Sequence, residues 1–241
     1  MPTRTDAKDD PRRDFLLKAL ASGMFAVGAF AGAVRGARAQ VLGRRPGPLP
    51  AGRSIYSLRG EVRVNGQPAD GATRIGASDT IRTGKDAELV FAVGADAFIL
   101  RENSELAFSG TELLVRSLRL ATGALLSVFG RGPKQVFGAT ATIGIRGTGL
   151  YLESEPEQTY ICTCYGEVEI AAADDPSISE RIVSKHHDAP RYVLKPGAAK
   201  RIRPAPFKNH TDLELTLIES LVGRTPPFSL FDESYGSPRR Y

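Results

Sequence analysis

The amino-acid sequence predicts a mainly β fold with one short helix near the C-terminus. Between residues 55 and 172, short runs that alternate apolar and polar residues recur about every eight to twelve residues. Glycine or other turn residues separate these runs, and this spacing is typical of an all-β sandwich, barrel or solenoid. The chain has 241 residues, and the single helical signal follows the last of these runs, at residues 211–223.

The N-terminus matches a twin-arginine export signal. Arg12 and Arg13 are followed by one spacer residue and then by Phe15 and Leu16, which is the pattern that this export route reads. A charge-free run rich in alanine, glycine and phenylalanine follows over residues 19–34. Spanning a bilayer takes about 20 strongly apolar residues, so this shorter, glycine-interrupted run favours a signal peptide over a membrane anchor.

A cleavage site follows the apolar run. Ala37 and Ala39 flank Arg38 in the small-x-small pattern that signal peptidase recognises, so the mature chain is predicted to begin at Gln40. The predicted location is the periplasm. The mature chain would carry 25 basic and 23 acidic residues scattered along it, a distribution that does not favour nucleic-acid binding. It has no second apolar run of membrane-spanning length.

The predicted β region begins after a linker. Residues 40–54 are rich in glycine and proline and show no periodic pattern, so they are predicted to be the linker. Asn65 and Gly66, which follow the first strand candidate, predict a tight hairpin turn. The strand candidates in chain order are 60–64, 87–93, 98–100, 113–120, 124–129, 151–153, 159–164 and 166–170.

Residues 173–241 are predicted to form an extension of the β domain. Short strands are expected at 182–183 and 192–194. The tail from residue 225 is rich in proline, phenylalanine and tyrosine, and we expect these aromatic side chains to pack along the body of the protein.

The helix of this extension is predicted over residues 211–223. Thr211 with Glu214 three residues later forms a capping-box pattern at its start. Leu213, Leu217 and Leu221, with Ile218 and Val222, fall on one helical face, which is therefore expected to be buried.

Several motifs occur in the order typical of one known family. They are Gly60-x-Val62-x-Val64-Asn65-Gly66, Asp79-x-Ile81-x-Thr83-Gly84, Ser104-x-Leu106, Leu120-x-x-Gly123-x-Leu125, Ile145-Arg146-Gly147-Thr148 and Gly166-x-Val168-x-Ile170. On these motifs, residues 55–172 resemble the FecR domain, named for the ferric-citrate regulators. The resemblance implies an elongated, twisted β-sandwich or β-solenoid-like body that recognises a partner in the periplasm.

The motif residues are expected to be structural first. Gly147 suits a backbone position that a side chain would crowd. Arg146 is expected to be buried, where its planar fork would hold carbonyl groups or a carboxylate, and the alternative is contact with a ligand. The complete set expected to be structural is Asn65, Gly66, Arg146, Gly147, Thr148 and Gly166.

The only two cysteines and the only three histidines of the chain lie within 49 consecutive residues. Cys162 and Cys164 fall on one predicted strand, so their side chains point to the same face. With His186, His187 and His210 they form a ligand set suited to copper(I) or zinc. Adjacent residues on extended chain face opposite ways, so at most one of His186 and His187 is expected to join a common site.

Two alternatives to a metal site remain open for the cysteines. An oxidising periplasm favours a disulfide. However, two cysteines that lie two residues apart on a regular strand have a geometry that is unfavourable for a disulfide. Alternatively, Cys162 and Cys164 are small buried apolar residues with no chemistry of their own.

No catalytic motif is present, and we predict that the chain is not an enzyme. The first functional hypothesis is an exported module that binds an envelope protein or a glycan. The second is a metal-binding or redox protein that uses the cysteine and histidine cluster. The third is a sigma-factor regulator, which is disfavoured because regulators of the FecR type carry a cytoplasmic domain and here an export signal precedes the β domain.

Overall fold

A computed structural model of the chain describes residues 46–228. From Pro48 onward they belong to one compact unit. The predicted export residues Arg12, Arg13, Phe15 and Leu16, the cleavage residues Ala37 and Ala39, and the end of the aromatic tail lie outside the described residues.

Fourteen strands and one helix make up the fold of residues 46–228. The strands are β1 (Ile55–Arg59), β2 (Val62–Val64), β3 (Gln67–Pro68), β4 (Thr80–Thr83), β5 (Glu88–Val93), β6 (Asp96–Leu100), β7 (Glu105–Thr111), β8 (Leu114–Val128), β9 (Pro133–Phe137), β10 (Ala141–Glu155), β11 (Gln158–Ala172), β12 (Ser179–Ser184), β13 (Arg191–Leu194) and β14 (Ile202–Pro204), and the helix is α1 (Asp212–Leu221). The predicted mainly β fold with one C-terminal helix is confirmed.

The predicted hairpin turn joins β2 to β3. Asn65 and Gly66 both have positive φ, at 52° and 81°, as the commonest two-residue hairpin turn requires. The Asn65 side chain also accepts a hydrogen bond from the Thr80 amide at 3.0 Å. The turn is therefore held to β4 as well as closing its own hairpin.

Three strands are longer than their sequence pattern predicts. The candidates 113–120 and 124–129 are two parts of the 15-residue strand β8. Likewise, 159–164 and 166–170 are one strand, β11, and 151–153 is the end of β10. The apolar-polar alternation is interrupted because each long strand changes its pairing partners along its length. A residue that the alternation predicts to face solvent is therefore buried at these points.

The long strands divide the hydrogen-bonded sheet into two groups of strands. One group contains β7 and β9, and the other contains β6 and the end of β10. The first part of β8 pairs with β7 and β9, whereas its last part pairs with β6 and β10. Similarly, β11 pairs with β13 near its start and with β12 near its end. All of these pairings are antiparallel except β8 with β9, which makes the sheet mixed.

One apolar core lies between the inward faces of the two groups. Phe98 on β6 is fully buried, and its ring centroid lies 5.1 Å from that of Phe91 and 5.2 Å from that of Phe108. Because Phe108 belongs to β7, these contacts join the two groups of strands. We call this set of buried apolar side chains the inner core.

The opposite face of β5, β6, β8, β10 and β11 is also buried. Strand pairing aligns a row of side chains across this face, namely Val90, Ile99, Leu126, Tyr151 and Cys162. Each is at most 2% exposed, and none belongs to the inner core. We call this surface the outer face.

Helix α1 packs on the outer face against β5, β6 and β8. Thr211 is its N-cap, and the predicted capping box with Glu214 is present. Leu217, Ile218 and Leu221 of the predicted face are buried, whereas the expectation is wrong for Leu213, which is 52% exposed. Leu213 lies in the first turn, ahead of the buried stretch that runs from Glu214 to Leu221.

The end of the predicted linker contacts the helix. Residues 46–54 contain neither strand nor helix, but the Leu49 amide donates a hydrogen bond to the Leu221 carbonyl at 3.0 Å. Within residues 46–228, no helix is both long enough and apolar enough to cross a membrane.

Candidate metal centre

Four potential metal ligands meet on the outer face. Cys162 and Cys164 lie two residues apart on β11, so their side chains point to the same face. Both are completely buried. His187 follows β12, and its amide donates a hydrogen bond to the Cys164 carbonyl at 3.0 Å. This hydrogen bond holds His187 next to β11. His210 lies directly before the helix cap. Four residues from three separate segments thus face one point.

The distances between these ligand atoms fit one bound metal ion. Cys162 Sγ lies 3.4 Å from His187 Nδ1, Cys164 Sγ lies 3.5 Å from His210 Nε2, and the two nitrogens lie 3.1 Å apart. A tetrahedral zinc ion with ordinary bond lengths would separate sulfur from nitrogen by about 3.5 Å and nitrogen from nitrogen by about 3.3 Å. All four ligand atoms lie within 4.8 Å of one another.

The remaining nitrogen of each histidine has a hydrogen-bond acceptor. His187 Nε2 lies 3.0 Å from Asp212 Oδ1, and His210 Nδ1 lies 2.7 Å from the Lys208 carbonyl oxygen. These acceptors place the proton of each neutral ring on the outer nitrogen, so the inner nitrogens carry lone pairs. Carboxylate and carbonyl partners of this kind orient the histidine ligands of metal sites.

Two lone pairs only 3.1 Å apart repel each other unless a cation lies between them. His187 Nδ1 and His210 Nε2 are in this position, and both side chains are buried, at 7% and 4% exposure. Water therefore cannot screen the repulsion. Either a proton or a metal ion must occupy the centre of the cluster.

The protonation of the cluster favours one thiolate. The hydrogen bond with Cys164, followed by those with His187 and His210, lowers the pKa of Cys162 to about 4 against the effect of burial. Burial and the neighbouring sulfur raise the pKa of Cys164 well above its ordinary value. Burial lowers the pKa of His187, but hydrogen bonds with Asp212 and Cys162 outweigh this effect and raise it. A metal ion must therefore displace protons.

Aromatic rings enclose the four ligands. The Tyr151 ring stacks on His210 with centroids 4.5 Å apart. The Phe207 ring lies 4.6 Å from the rings of both His187 and His210. An apolar enclosure of this kind limits solvent access and holds the ligand rings in place.

His186 lies outside the group of four. Its Nε2 lies 3.0 Å from Asp212 Oδ1, so it shares this carboxylate with His187. His187 has a φ of 54°, which bends the chain and directs the two neighbouring rings to different positions. Only one of the adjacent histidines faces the cysteines, but not for the reason expected, because this segment is a bend and not an extended strand.

The two thiols are not joined by a disulfide. Their side chains project in parallel from one strand, as expected for residues two apart. Of the residues that bear on the cluster, the sequence pattern did not indicate Asp212 or Lys208. Asp212 appears in sequence as an ordinary acidic residue in the first turn of a helix, and Lys208 contributes only its backbone.

The motif residues Arg146, Gly147, Thr148 and Gly166 are not among the clustered ligands. The expectation that Arg146 is buried is wrong: its side chain is exposed, because it lies at an irregularity in the pairing of β10 with β11. Gly147 has a φ of 61°, but an added Cβ would meet nothing within 4 Å. The backbone conformation, rather than crowding, requires glycine there.

Crowding instead explains Gly166. A Cβ at this position would lie 2.4 Å from Thr148 Cγ2, and its φ is 92°. Thr148 is completely buried. Gly166 and Thr148 therefore pack against each other where the register between β10 and β11 is irregular.

Comparison with known proteins gives limited information. No family model matches the chain, and no curated protein matches it. Two crystal structures of a "putative anti-sigma factor" from Parabacteroides distasonis ATCC 8503 are similar, each with 13% identity and a TM-score of 0.43. The similarity covers 52% of this chain and spans 58% of the length of those structures. At this identity and score the likeness carries no argument about function.

Proposed function

We propose that this chain is an exported envelope protein whose β body binds one zinc ion through Cys162, Cys164, His187 and His210. The observation that carries the proposal is the close approach of His187 Nδ1 and His210 Nε2, 3.1 Å apart, beside two buried sulfurs. Two thiolates and two imidazoles in tetrahedral order are a ligand set typical of zinc.

A site with four protein ligands has no open coordination position. Zinc sites of this closed type stabilise a fold, whereas catalytic sites leave a position for water or substrate. The proposed ion therefore stabilises the protein and does not catalyse a reaction. In an oxidising compartment, coordination would also protect the thiolate of Cys162 from oxidation.

Metal content and free thiols, measured on protein purified from the periplasm without a histidine tag, test this proposal. We expect one equivalent of zinc, and its loss from Cys162→Ser and Cys164→Ser. His186→Gln is the matched control, because His186 shares Asp212 with His187 but lies outside the four ligands. Stoichiometric metal retained in the double serine variant would reject the site. One equivalent of copper would keep the ligands and change the metal.

The proposed export rests on Arg12, Arg13 and the cleavage pattern after Ala39. An N-terminal sequence of the periplasmic protein that begins at Gln40 would support it, and would also exclude an uncleaved regulator anchored in the membrane. An intact N-terminus in the cytoplasmic fraction would contradict it.

Recognition of an envelope protein or glycan is the second candidate function. Its structural support is the turn between β7 and β8, where Leu113 and Leu114 are 58% and 55% exposed. Two adjacent exposed leucines are a feature of interaction sites. Capture of an envelope component that is lost in Leu113→Ser/Leu114→Ser, with metal content unchanged, would support this role. Equal capture by the variant would exclude this turn as the contact.

A further inference from the structure

The candidate metal centre joins two parts of the structure that differ in how firmly they are held. Cys162 and Cys164 lie on β11, which pairs with β10 along nearly its whole length. The His187 amide hydrogen-bonds to the same strand. His210 instead belongs to the segment that leads into α1. Two ligands therefore come from the sheet, a third comes from a turn that is hydrogen-bonded to the sheet, and the fourth comes from the segment that covers it.

Helix α1 depends on its contacts with the sheet. It has 10 residues, and isolated helices shorter than about 12–15 residues are marginal in water. Leu215 and Ile218 are completely buried, so the helix and the outer face cover each other. Any interaction at the start of the helix therefore affects whether the whole segment stays docked.

Charged groups also connect α1 to the sheet. Arg101, at the end of β6, contacts both Glu88 and Glu214. At the other end of the helix, Glu219 contacts Tyr165 and Arg224. Buried ion pairs of this kind contribute little net stability, because removing the charges from water offsets their attraction. These ion pairs define the position of the helix on the sheet but contribute little to the free energy of docking.

The metal centre acts on the N-terminal end of the helix through two neighbouring residues. His210 is a ligand, Thr211 is the N-cap, and Asp212 accepts a hydrogen bond from His187. A metal ion bound to His210 would fix the start of α1 relative to β11. Conversely, the ligands are at most 7% exposed, so the ion can leave only if covering residues move.

We propose that residues 207–221 form a metal-gated lid, in which metal binding and docking of α1 on the outer face are thermodynamically coupled. This inference rests on the proposed metal site. The bound ion holds the lid closed, and loss of the ion frees the lid while the sheet stays folded. Coupling between two such events typically changes an equilibrium by about 5- to 150-fold.

Hydrogen exchange of the full mature chain, zinc-loaded and chelator-treated under reducing conditions, tests the lid directly. We expect amides of α1 to exchange at least about 10-fold faster without metal, whereas amides of β5, β10 and β11 change less than about twofold. Equal exchange of α1 in both states would overturn the coupling. Equal acceleration of helix and sheet would also overturn it, because the metal would then hold the whole fold.

The reciprocal experiment perturbs the helix and measures the metal. Ile218→Ala removes a buried contact of α1 without touching a ligand, and Leu213→Ala on the exposed face is its matched control. Because coupling is reciprocal, Ile218→Ala should weaken zinc affinity by about 10-fold, measured by competition with a chromophoric chelator of known affinity, and Leu213→Ala should leave it unchanged. An unchanged affinity in Ile218→Ala would overturn the lid. Protein that binds no zinc at all would reject the metal site itself, which distinguishes the two failures.

Discussion

The inner core and the outer face of this sheet are both buried, but different interactions hold them together. The inner core consists of aliphatic side chains and packed phenylalanine rings. The outer face combines apolar residues with two cysteines, two histidines and charged groups that contact helix α1. Hydrophobic burial is non-directional, whereas metal ligation and ion pairing need specific geometry. The comparison indicates that the outer face is where stability depends on solution conditions.

Of the substitutions that distinguish the inner core from the outer face, Phe98→Ala should have the largest effect on stability. Phe98 is fully buried and packs against three other phenylalanine rings, so its truncation should lower the free energy of unfolding by about 3–5 kcal/mol. Urea denaturation with and without chelator should give the same loss, because the inner core does not contact the metal site. A loss that depends on the metal would contradict the separation.

Arg101→Met tests the charged contacts of the outer face. The substitution leaves Glu88 and Glu214 buried without their cation, and breaking such a group should cost about 3 kcal/mol. Part of the cost should be relieved by undocking of α1, which lets Glu214 reach water. We therefore expect faster hydrogen exchange in α1 than in β10, and uniform destabilisation would contradict this expectation.

Asp212→Asn weakens the metal site without removing a ligand. Loss of the carboxylate that orients His187 should reduce zinc affinity by about 10-fold, at the low end for partners of this kind. Competition with a chelator of known affinity measures the change, and His186→Gln serves as the control on the same carboxylate. An affinity equal to that of the unmodified protein would show that Asp212 does not act through His187.

Glu153→Gln should have the smallest effect, and one that depends on pH. Burial raises the pKa of Glu153, but hydrogen bonds from Lys208, Asn209 and Tyr151 outweigh it, so the net shift is below the ordinary value of 4.5. The stabilisation is thus fully present above that value and disappears as pH falls through the folded-state pKa. The variant should lose about 1 kcal/mol at neutral pH, and this deficit should shrink as the pH is lowered below 4.5. Thermal unfolding at neutral pH and in a series of acidic buffers measures this, and a deficit of constant size would contradict it.

Much of the fold is predictable from local sequence. Asn65-Gly66 gives the hairpin, and Thr211 with Glu214 gives the helix start, because each depends on residues within one turn. The length of β8 is not predictable in this way. Its two parts pair with different strands, and the change of partner after Thr122 depends on where β6 and β10 lie in the folded sheet.

The candidate metal centre shows the same division. Strand alternation places Cys162 and Cys164 on one face of β11, and composition indicates the three histidines as further candidate ligands. The choice of His187 over His186 depends on a backbone φ of 54°. The role of Asp212 depends on where the helix docks, and no local pattern encodes that position.

By itself, the sequence determined the β class, the capped helix, the twin-arginine pattern and the small set of residues able to bind a soft metal. These follow from periodicity, from caps and from residue chemistry, all of which act over a few neighbouring residues. Only the tertiary structure decided that His187 and His210 approach to 3.1 Å beside both sulfurs, that Arg146 is exposed, and that α1 covers the outer face. Those arrangements depend on long-range packing, because β11, the turn after β12 and the start of α1 meet only when the sheet has formed.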